Sequence, residues 1–273
     1  MKSRKDVRVS GHDLTEVWVE IAGHLLEPGV DQLTHSIVKV SGFDQGLPDE
    51  HPAARDHLDR ALKKWGPCTA HETANTIFPE SAWKLAAHRG MTPSAFFAHY
   101  HEKLMPKLAK QDTRNRKGTY FNRMIAYPDG EGHINQLDKL LTFWNGGVTR
   151  QSAYQVLTYH PGKDLSRSPY LGFPCLDHVA FTRDEEGLSV LATYASQLIF
   201  DRAYGNYLGL CRLGRFMAAQ MKIPFVQFTC VAACAKLTQS GSAGKKGASR
   251  SELTKLVADM RSAMAADAVR KAA

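Results

Sequence analysis

Residues 172–195 read GFPCLDHVAFTRDEEGLSVLATYA, and they contain a loop, two strand-like segments and the turn between them. Residues 177–181 and 189–195 are apolar, with the β-branched and aromatic residues typical of β-strands. Between them, Glu185-Glu186-Gly187 provides a turn, so the two segments are predicted to form a hairpin. This stretch therefore predicts an antiparallel pair of strands.

Helices are predicted on both sides of this hairpin. After it, residues 208–221 predict a helix and residues 225–233 a buried strand. Before it, apolar residues at helical spacing predict a helix over residues 14–25, with Asp13 as its N-cap. Residues 36–41 predict a strand, residues 48–110 a mainly helical region and residues 111–118 a charged loop. Residues 134–145 predict a helix that ends at a Gly-Gly pair, and residues 153–159 predict a strand.

The C-terminal part differs in composition from the rest. Residues 240–249 read SGSAGKKGAS, which is typical of a flexible linker. Ser249 and Glu252 form a capping-box pattern, and Leu253, Leu256, Val257, Met260 and Met264 follow on one helical stripe. We therefore expect a main domain over residues 1–238, a linker over residues 239–250 and a helix over residues 251–273 that docks or dimerises.

Composition limits the classes of partner. The chain has 273 residues and 35 Lys and Arg against 27 Asp and Glu, a formal net charge of +8. This excess favours anionic partners, either a phosphate-bearing small ligand or a polynucleotide. The lysines near residues 244–250 lack interleaved aromatic residues, which disfavours a polynucleotide, although that alternative stays open. The apolar runs are shorter than a membrane helix needs, and no signal peptide is visible, so we expect a cytoplasmic protein.

Common catalytic motifs are missing from the sequence: it has no Walker glycine loop, Rossmann fingerprint, GxSxG elbow or HExxH helix. One cysteine, Cys175, lies after Pro174 where a Gly- and Pro-rich loop enters a strand, and such a junction can hold a thiol at the wall of a pocket. The alternative is a small apolar residue buried at the start of a strand. A zinc site at Cys230 and Cys234 is disfavoured because the pair lies in an apolar, strand-like run, and no metal site is predicted.

A series of short motifs favours the interpretation of Cys175 as a thiol at a pocket. A helix starts with Gln-Leu at residues 136–137, a loop has Thr-Arg at residues 149–150, and a strand ends at His-Pro, residues 160–161. A Pro-Cys pair follows at residues 174–175, then an arginine at residue 202 and a Leu-Gly pair at residues 208–209 that opens a helix. Residues 118–123 read GTYFNR. In this order and spacing the chain resembles the thymidylate synthase family over residues 118–222, and more loosely over the first helix.

The resemblance implies a role for several residues. Cys175 would be the nucleophile that adds to C6 of a pyrimidine ring, and Tyr120 would polarise the site through its hydroxyl. Arg202 would bind the nucleotide phosphate and favour the thiolate form of Cys175. Arg150 would cross a dimer interface to the partner's phosphate. The remaining predicted substrate-binding residues are Arg123, Gly205 and Gly209.

The sequence departs from the family pattern at other positions. The QRSxD segment is replaced by Asp201-Arg202-Ala203-Tyr204-Gly205, and the second arginine of the SRR loop by Gln151. Leu213 stands where the family has an asparagine that reads the pyrimidine edge. The segment that holds the sugar is replaced by residues 229–236, and neither Glu72 nor Glu80 can be assigned as the family's glutamate. Ordinary recognition of dUMP is therefore not expected.

The resemblance implies an α/β fold with a mixed, mostly antiparallel sheet, helices on one face and a sheet-to-sheet homodimer. The implied activity is that of a folate-dependent pyrimidine nucleotide C5-methyltransferase or hydroxymethyltransferase. Its one-carbon donor would be 5,10-methylenetetrahydrofolate. The alternatives are an altered or inactive family member that binds a nucleotide, and a protein that binds the phosphate backbone of RNA or DNA.

Overall fold

The computed structural model describes residues 3–43, 46–165, 174–238 and 247–272. Its centre is a mixed sheet of seven strands in the order β1-β2-β9-β7-β6-β5, with β8 paired to the end of β9. The strands are β1 (Ser3–Gly11), β2 (Gln32–Ser41), β5 (Gln155–Leu157), β6 (Leu176–Arg183), β7 (Leu188–Tyr194), β8 (Gln197–Leu198) and β9 (Phe225–Lys236). A separate hairpin pairs β3 (Tyr127–Asp129) with β4 (Gly132–Ile134).

The sheet contains both parallel and antiparallel pairs. β1 runs parallel to β2 and β7 parallel to β9, whereas β2 pairs with β9, β6 with β7 and β5 with β6 in antiparallel fashion. The predicted hairpin is therefore confirmed, as is the α/β class with a mixed sheet. The pairing of β6 with β7 shifts register between Leu176 and His178, so Asp177 lies at a bulge.

Eleven α-helices are assigned within the described residues. They are α1 (Leu14–Leu26), α2 (Pro52–Trp65), α3 (Ala70–Ile77), α4 (Glu80–His88), α5 (Pro93–His99), α6 (Met105–Gln111), α7 (Tyr120–Ile125), α8 (Gln136–Asn145), α9 (Pro161–Asp164), α10 (Tyr204–Met221) and α11 (Arg250–Ala272). Two π-helical turns, Tyr100–Leu104 and Ile199–Ala203, precede α6 and α10. None of the described helices has both the length and the apolar character that crossing a membrane requires.

The helices α1 and α10 pack on one face of the sheet, and the opposite face carries side chains of intermediate exposure. Strand β7 shows the alternation: Val190 and Ala192 are buried, whereas Ser189, Leu191 and Thr193 are more exposed. Successive strand residues point to opposite faces, so one row of side chains faces the helices and the other faces away from them. The sheet thus has one packed face and one more exposed face.

Helix α10 lies close to α3 because two glycines stand at the contact. A Cβ added to Gly205 would lie 2.5 Å from the carbonyl oxygen of Ala70, and one added to Gly209 would lie 2.8 Å from that of Ala74. Real Cβ atoms do not approach this closely, so both positions require glycine. The two helices can therefore hold their side chains close to the end of β6.

The C-terminal helix docks on the core of the main domain. Leu253, Leu256, Val257 and Met260 are buried in the same apolar cluster as the sheet, and α11 packs against α2 and α1. The docking alternative is therefore shown within one chain. Most of the predicted linker lies outside the described residues, and α11 begins with Arg250 at the end of that segment.

Several predicted elements are confirmed with different ends. The first helix begins after Asp13, whose side chain accepts hydrogen bonds from the main chains of Thr15 and Glu16. The loop over residues 111–118 contains a 3₁₀ helix, Thr113–Lys117. Strand β1 was not predicted, because its sequence is rich in basic residues and its partner strand begins more than 20 residues later.

Candidate functional site

Cys175 lies where the chain enters β6, as the loop-to-strand pattern predicts. Its side chain is half-buried and lines a cavity of about 380 Å³, which we call the Cys175 cavity. The main-chain N–H of Cys175 donates to the hydroxyl of Tyr120 over 3.2 Å, so the predicted nucleophile and the predicted tyrosine lie side by side. Burial raises the pKa of Tyr120 to about 12, which keeps its hydroxyl protonated. A neutral phenol can donate a hydrogen bond to a ligand in this cavity.

Arg202 lines the same cavity from the π-helical turn before α10. Its Nη1 atom donates to the sulfur of Cys68 at 2.8 Å, and that sulfur lies 2.9 Å from the Thr73 hydroxyl. Arg202 is therefore held in place by a second thiol, a contact that the sequence did not predict. The guanidinium also borders a neighbouring cavity of about 280 Å³, which we call the Cys68 cavity.

The positive charge of Arg202 lowers the pKa of Cys175, as predicted, but two larger effects oppose it. Burial and the negative charge of Asp177 raise the pKa of the thiol, and the positive charge of Arg202 lowers it by less. Burial also raises the pKa of Asp177 to about 6, and its Oδ1 atom has no hydrogen-bond partner among the described residues. The thiol is consequently protonated at neutral pH and must lose its proton before it attacks.

Asn206 is a cavity residue that the sequence analysis missed. Its side chain is 5% exposed and lines the Cys175 cavity. An amide that faces a ligand can both donate and accept hydrogen bonds. Leu213, further along α10, is fully buried and does not line this cavity. Asn206 therefore places a side-chain amide of α10 at the cavity wall.

The other cationic side chains at the Cys175 cavity are Arg114, Lys117 and Arg123. Arg123 is paired with the buried carboxylate of Asp164 through bonds of 2.7 and 3.0 Å, and it also donates to the carbonyl of Thr158. These contacts hold α9 against α7. Substrate binding, the role predicted for Arg123, is therefore secondary to this structural role. Arg114 pairs with Asp112, whose pKa is lowered by hydrogen bonds from Arg114.

Three predicted site residues lie elsewhere. Gly205 and Gly209 lie between α10 and α3, where they permit close packing, and they do not line the Cys175 cavity. Arg150 is exposed in the loop before a 3₁₀ turn, Gln151–Ala153, and is also outside this cavity. The structure therefore brings together Cys175, Tyr120, Arg202 and Arg123.

The Cys68 cavity adjoins the Cys175 cavity, and five residues border both: Thr76, Arg114, Asn115, Thr119 and Arg202. Its wall also carries the polar side chains of Glu72, Asn75 and Gln111. These groups can accept and donate hydrogen bonds to a nitrogen-rich ring. The arrangement allows two ligands to lie next to each other, with Arg202 beside both.

Within the part of the chain that the structure describes, no three His, Cys, Asp or Glu side chains are grouped so that they could hold a metal ion. Cys230 is buried on β9 and accepts a hydrogen bond from Gln197 over 3.6 Å. Cys234 instead lies 3.5 Å from Gln32. These two cysteines thus make separate contacts within the fold.

Comparison of the sequence with models of known families and with curated proteins gives no match.

Proposed function

We propose that the chain transfers a one-carbon unit, as methyl or hydroxymethyl, to C5 of a pyrimidine nucleotide through an adduct at Cys175. The observation that carries the proposal is that a half-buried thiol, the side-chain amide of Asn206 and a guanidinium line one cavity. A thiol can attack the ring, an amide can read its polar edge and a guanidinium can bind its phosphate.

In the proposed reaction the Cys175 thiol loses its proton and its sulfur forms a bond to C6 of the pyrimidine. The electrons of the C5–C6 double bond move towards C5 and the C4 oxygen, so C5 becomes the nucleophile. C5 would then form a bond to the methylene carbon of the donor as one of that carbon's bonds to nitrogen breaks, and C5 would lose its proton. Breakage of the second carbon–nitrogen bond would leave a methylene group on C5. This group would take a hydride from the donor, which is oxidised to dihydrofolate, to become methyl, or would take water to become hydroxymethyl, as departure of the sulfur restores the C5–C6 double bond and the thiolate. The hydroxyl of Tyr120, next to Cys175, donates to the ligand as negative charge develops.

The reduced folate belongs in the Cys68 cavity under this proposal, and it supplies the carbon when bound. Glu72, Asn75 and Gln111 would bind the nitrogen-bearing edge of its pterin ring. The shared wall of the two cavities supports this placement, because the donor and the pyrimidine must lie in contact.

A sheet-to-sheet homodimer is part of the proposal. The sheet face opposite α10 presents apolar and hydroxyl-bearing side chains, including Leu191, Thr193, Thr229 and Val231. Such a face is suited to a second copy of the same face. The exposed Arg150 would then be available to the partner's nucleotide. Sedimentation of the wild-type protein should give a dimer, and Leu191→Glu should give a monomer.

The covalent step can be tested by intact-protein mass spectrometry with a panel of 5-fluoropyrimidine nucleotides and methylenetetrahydrofolate. We expect a mass increase equal to the nucleotide, or to nucleotide plus folate, because fluorine at C5 blocks the final elimination. Cys175→Ser should form no adduct. Cys234→Ser, which removes a half-buried thiol on β9, is the matched control and should keep the adduct.

Absence of an adduct with every nucleotide in the panel would refute the transfer reaction. If the same nucleotides still bind in calorimetry, the alternative of a nucleotide-binding protein without turnover is favoured. If single-stranded RNA or DNA binds and mononucleotides do not, the polynucleotide alternative is favoured instead.

A further inference from the structure

A third cavity, of about 520 Å³, lies next to the Cys175 cavity and has no role in the proposed reaction. It lies between α6, the 3₁₀ helix Thr113–Lys117, the start of α7 and α9, and we call it the basic cavity. Its volume falls in the range of small-molecule sites, roughly 300–1,000 Å³. Four residues border both this cavity and the Cys175 cavity: Asn115, Lys117, Gly118 and Arg123.

The lining of the basic cavity is strongly cationic. Arg116, Lys117 and Lys163 line it, and none of the three forms a salt bridge with a described residue. One carboxylate, that of Glu102, lines the cavity. The carboxylate of Asp164 is not part of the lining; it pairs with Arg123 and neutralises that charge. Arg116, Lys117 and Lys163 outnumber the one lining carboxylate, so their charges repel one another in part, and an anionic ligand reduces this repulsion.

Neutral donors complete the lining. His160 lines the cavity, and its buried Nδ1 atom has no hydrogen-bond partner among the described residues. The main-chain N–H of His160 is fixed by the Asp164 carboxylate over 2.8 Å, which holds this segment against Arg123. The amide of Asn122 is oriented by His101, whose Nδ1 lies 2.9 Å from its oxygen. These groups resemble the mixture of cations and neutral donors that binds phosphate oxygens.

Gly118 lies where the two cavities meet, since it lines both. This residue has φ +86° and ψ 144°, a conformation that favours glycine, and the side chains of Asn122 and Arg123 lie beside it. Lys117 precedes it and lines both cavities. Because the two cavities share this part of their lining, a ligand held by Arg202 and Arg114 in the Cys175 cavity can direct its anionic end towards the basic cavity.

We infer that the basic cavity is a second phosphate site, and that the nucleotide bound at Cys175 carries at least one phosphate beyond the first. The inference rests on the proposed function for the identity of the nucleotide. The additional phosphate can belong to a nucleoside diphosphate or triphosphate, or to the next phosphodiester of a strand. Both sources present the same chemistry to Arg116, Lys117 and Lys163.

The test uses Cys175→Ser protein, so that binding is measured without covalent chemistry. Calorimetry gives affinities for a uridine or cytidine monophosphate, diphosphate and triphosphate, for a 5′-phosphorylated dinucleotide and for inorganic tripolyphosphate. We expect the diphosphate or triphosphate, or the dinucleotide, to bind about tenfold more tightly than the monophosphate. Which of them does so identifies the source of the second phosphate.

Two double variants distinguish phosphate binding in the basic cavity from a general effect of positive charge on the protein surface. Arg116→Ala with Lys163→Ala should abolish the preference for the second phosphate and the binding of tripolyphosphate. Lys103→Ala with Lys107→Ala removes two exposed cations that lie near by but outside the cavity lining, and should retain both. Equal affinities for one and two phosphates, or an equal loss in both double variants, would overturn the inference.

Failure here is distinguishable from failure of the proposed function. Adduct formation with a fluorinated monophosphate depends on the Cys175 cavity, so it can succeed while the second phosphate has no effect. Conversely, tripolyphosphate binding that is lost in the Arg116 and Lys163 variant supports the site even if no adduct ever forms.

Discussion

The two sides of the Cys175 cavity are built from opposite kinds of residue. One side, which we call the ring side, consists of Cys175, Tyr120 and Asn206, all neutral at pH 7. The other, the anion side, consists of Arg114, Lys117 and Arg202. Burial keeps the ring side uncharged, whereas Arg114 and Lys117 are exposed and keep their charge in contact with solvent.

This difference separates selectivity from affinity. A buried amide rejects a ring that leaves it unpaired, because an unsatisfied polar group in an enclosed site is costly. Exposed guanidinium and ammonium groups attract any phosphate, and their contribution falls with added salt. The ring side should therefore decide which base binds, and the anion side how strongly a phosphate-bearing ligand binds.

Arg202→Met should have the largest effect on binding, because it removes the less exposed of the two arginines that border both ligand cavities. We expect pyrimidine nucleotides to bind about 100-fold more weakly, in line with the loss of a charge-assisted pair of hydrogen bonds. Calorimetry on Cys175→Ser protein measures this. Arg89→Met, an exposed change after α4, is the control. Unchanged affinity in Arg202→Met would mean that the anion side does not hold the phosphate.

Asn206→Ala should act on the base and leave the phosphate contribution intact. We expect about tenfold weaker nucleotide binding from the lost hydrogen bonds, with unchanged binding of inorganic phosphate. The ratio of the two affinities isolates recognition of the ring from any change in folding. Asn145→Ala, at the exposed end of α8, should change neither affinity. A parallel loss for nucleotide and phosphate would show that Asn206 supports the fold and does not read the base.

Asp177→Asn should make the ring-side thiol more acidic. The Asp177 carboxylate raises the pKa of Cys175, so its removal lowers that pKa and increases the thiolate fraction near pH 8. We expect alkylation of Cys175 by iodoacetamide, followed by peptide mass spectrometry, to become about threefold faster. Asp129→Asn, an exposed change at the end of β3, should leave the rate unaltered. A slower reaction in Asp177→Asn would contradict the electrostatic account.

Local sequence patterns predicted the parts of the fold and site that depend on neighbouring residues. Asp13 predicted the start of α1, and the turn at Gly187 predicted the hairpin that positions Cys175. The motif order placed Tyr120 near Cys175 although 55 residues separate them. These features were predictable because caps, turns and short motifs carry their own chemistry.

Contacts set by tertiary packing could not be predicted in this way. Cys68 meets Arg202 across 134 residues, and no local pattern links them. Asp177 acts on the thiol from a bulge, which changes the register of β6 against β7. Asn206 belongs to the site because the glycines of α10 bring that helix against α3. In each case the deciding quantity is a distance between elements that are remote in the chain.

The smallest expected effect concerns His71, whose protonation is affected by neighbouring arginines and changes the stability of the fold with pH. Its Nδ1 atom lies 2.8 Å from an Nη2 atom of Arg212, so it accepts that hydrogen bond and must be neutral. Burial and the charges of Arg212 and Arg55 lower the pKa of His71, so the folded protein binds this proton less readily than the unfolded chain. Stability should therefore fall as the pH drops below about 6.5, by at most about 0.5 kcal/mol because the side chain is largely exposed. Urea unfolding between pH 8 and pH 5 should show this slope in the wild type and less of it in His71→Gln. His88→Gln, at the exposed end of α4, should keep the wild-type slope, and an equal slope in all three proteins would show that the Arg212 contact does not affect protonation.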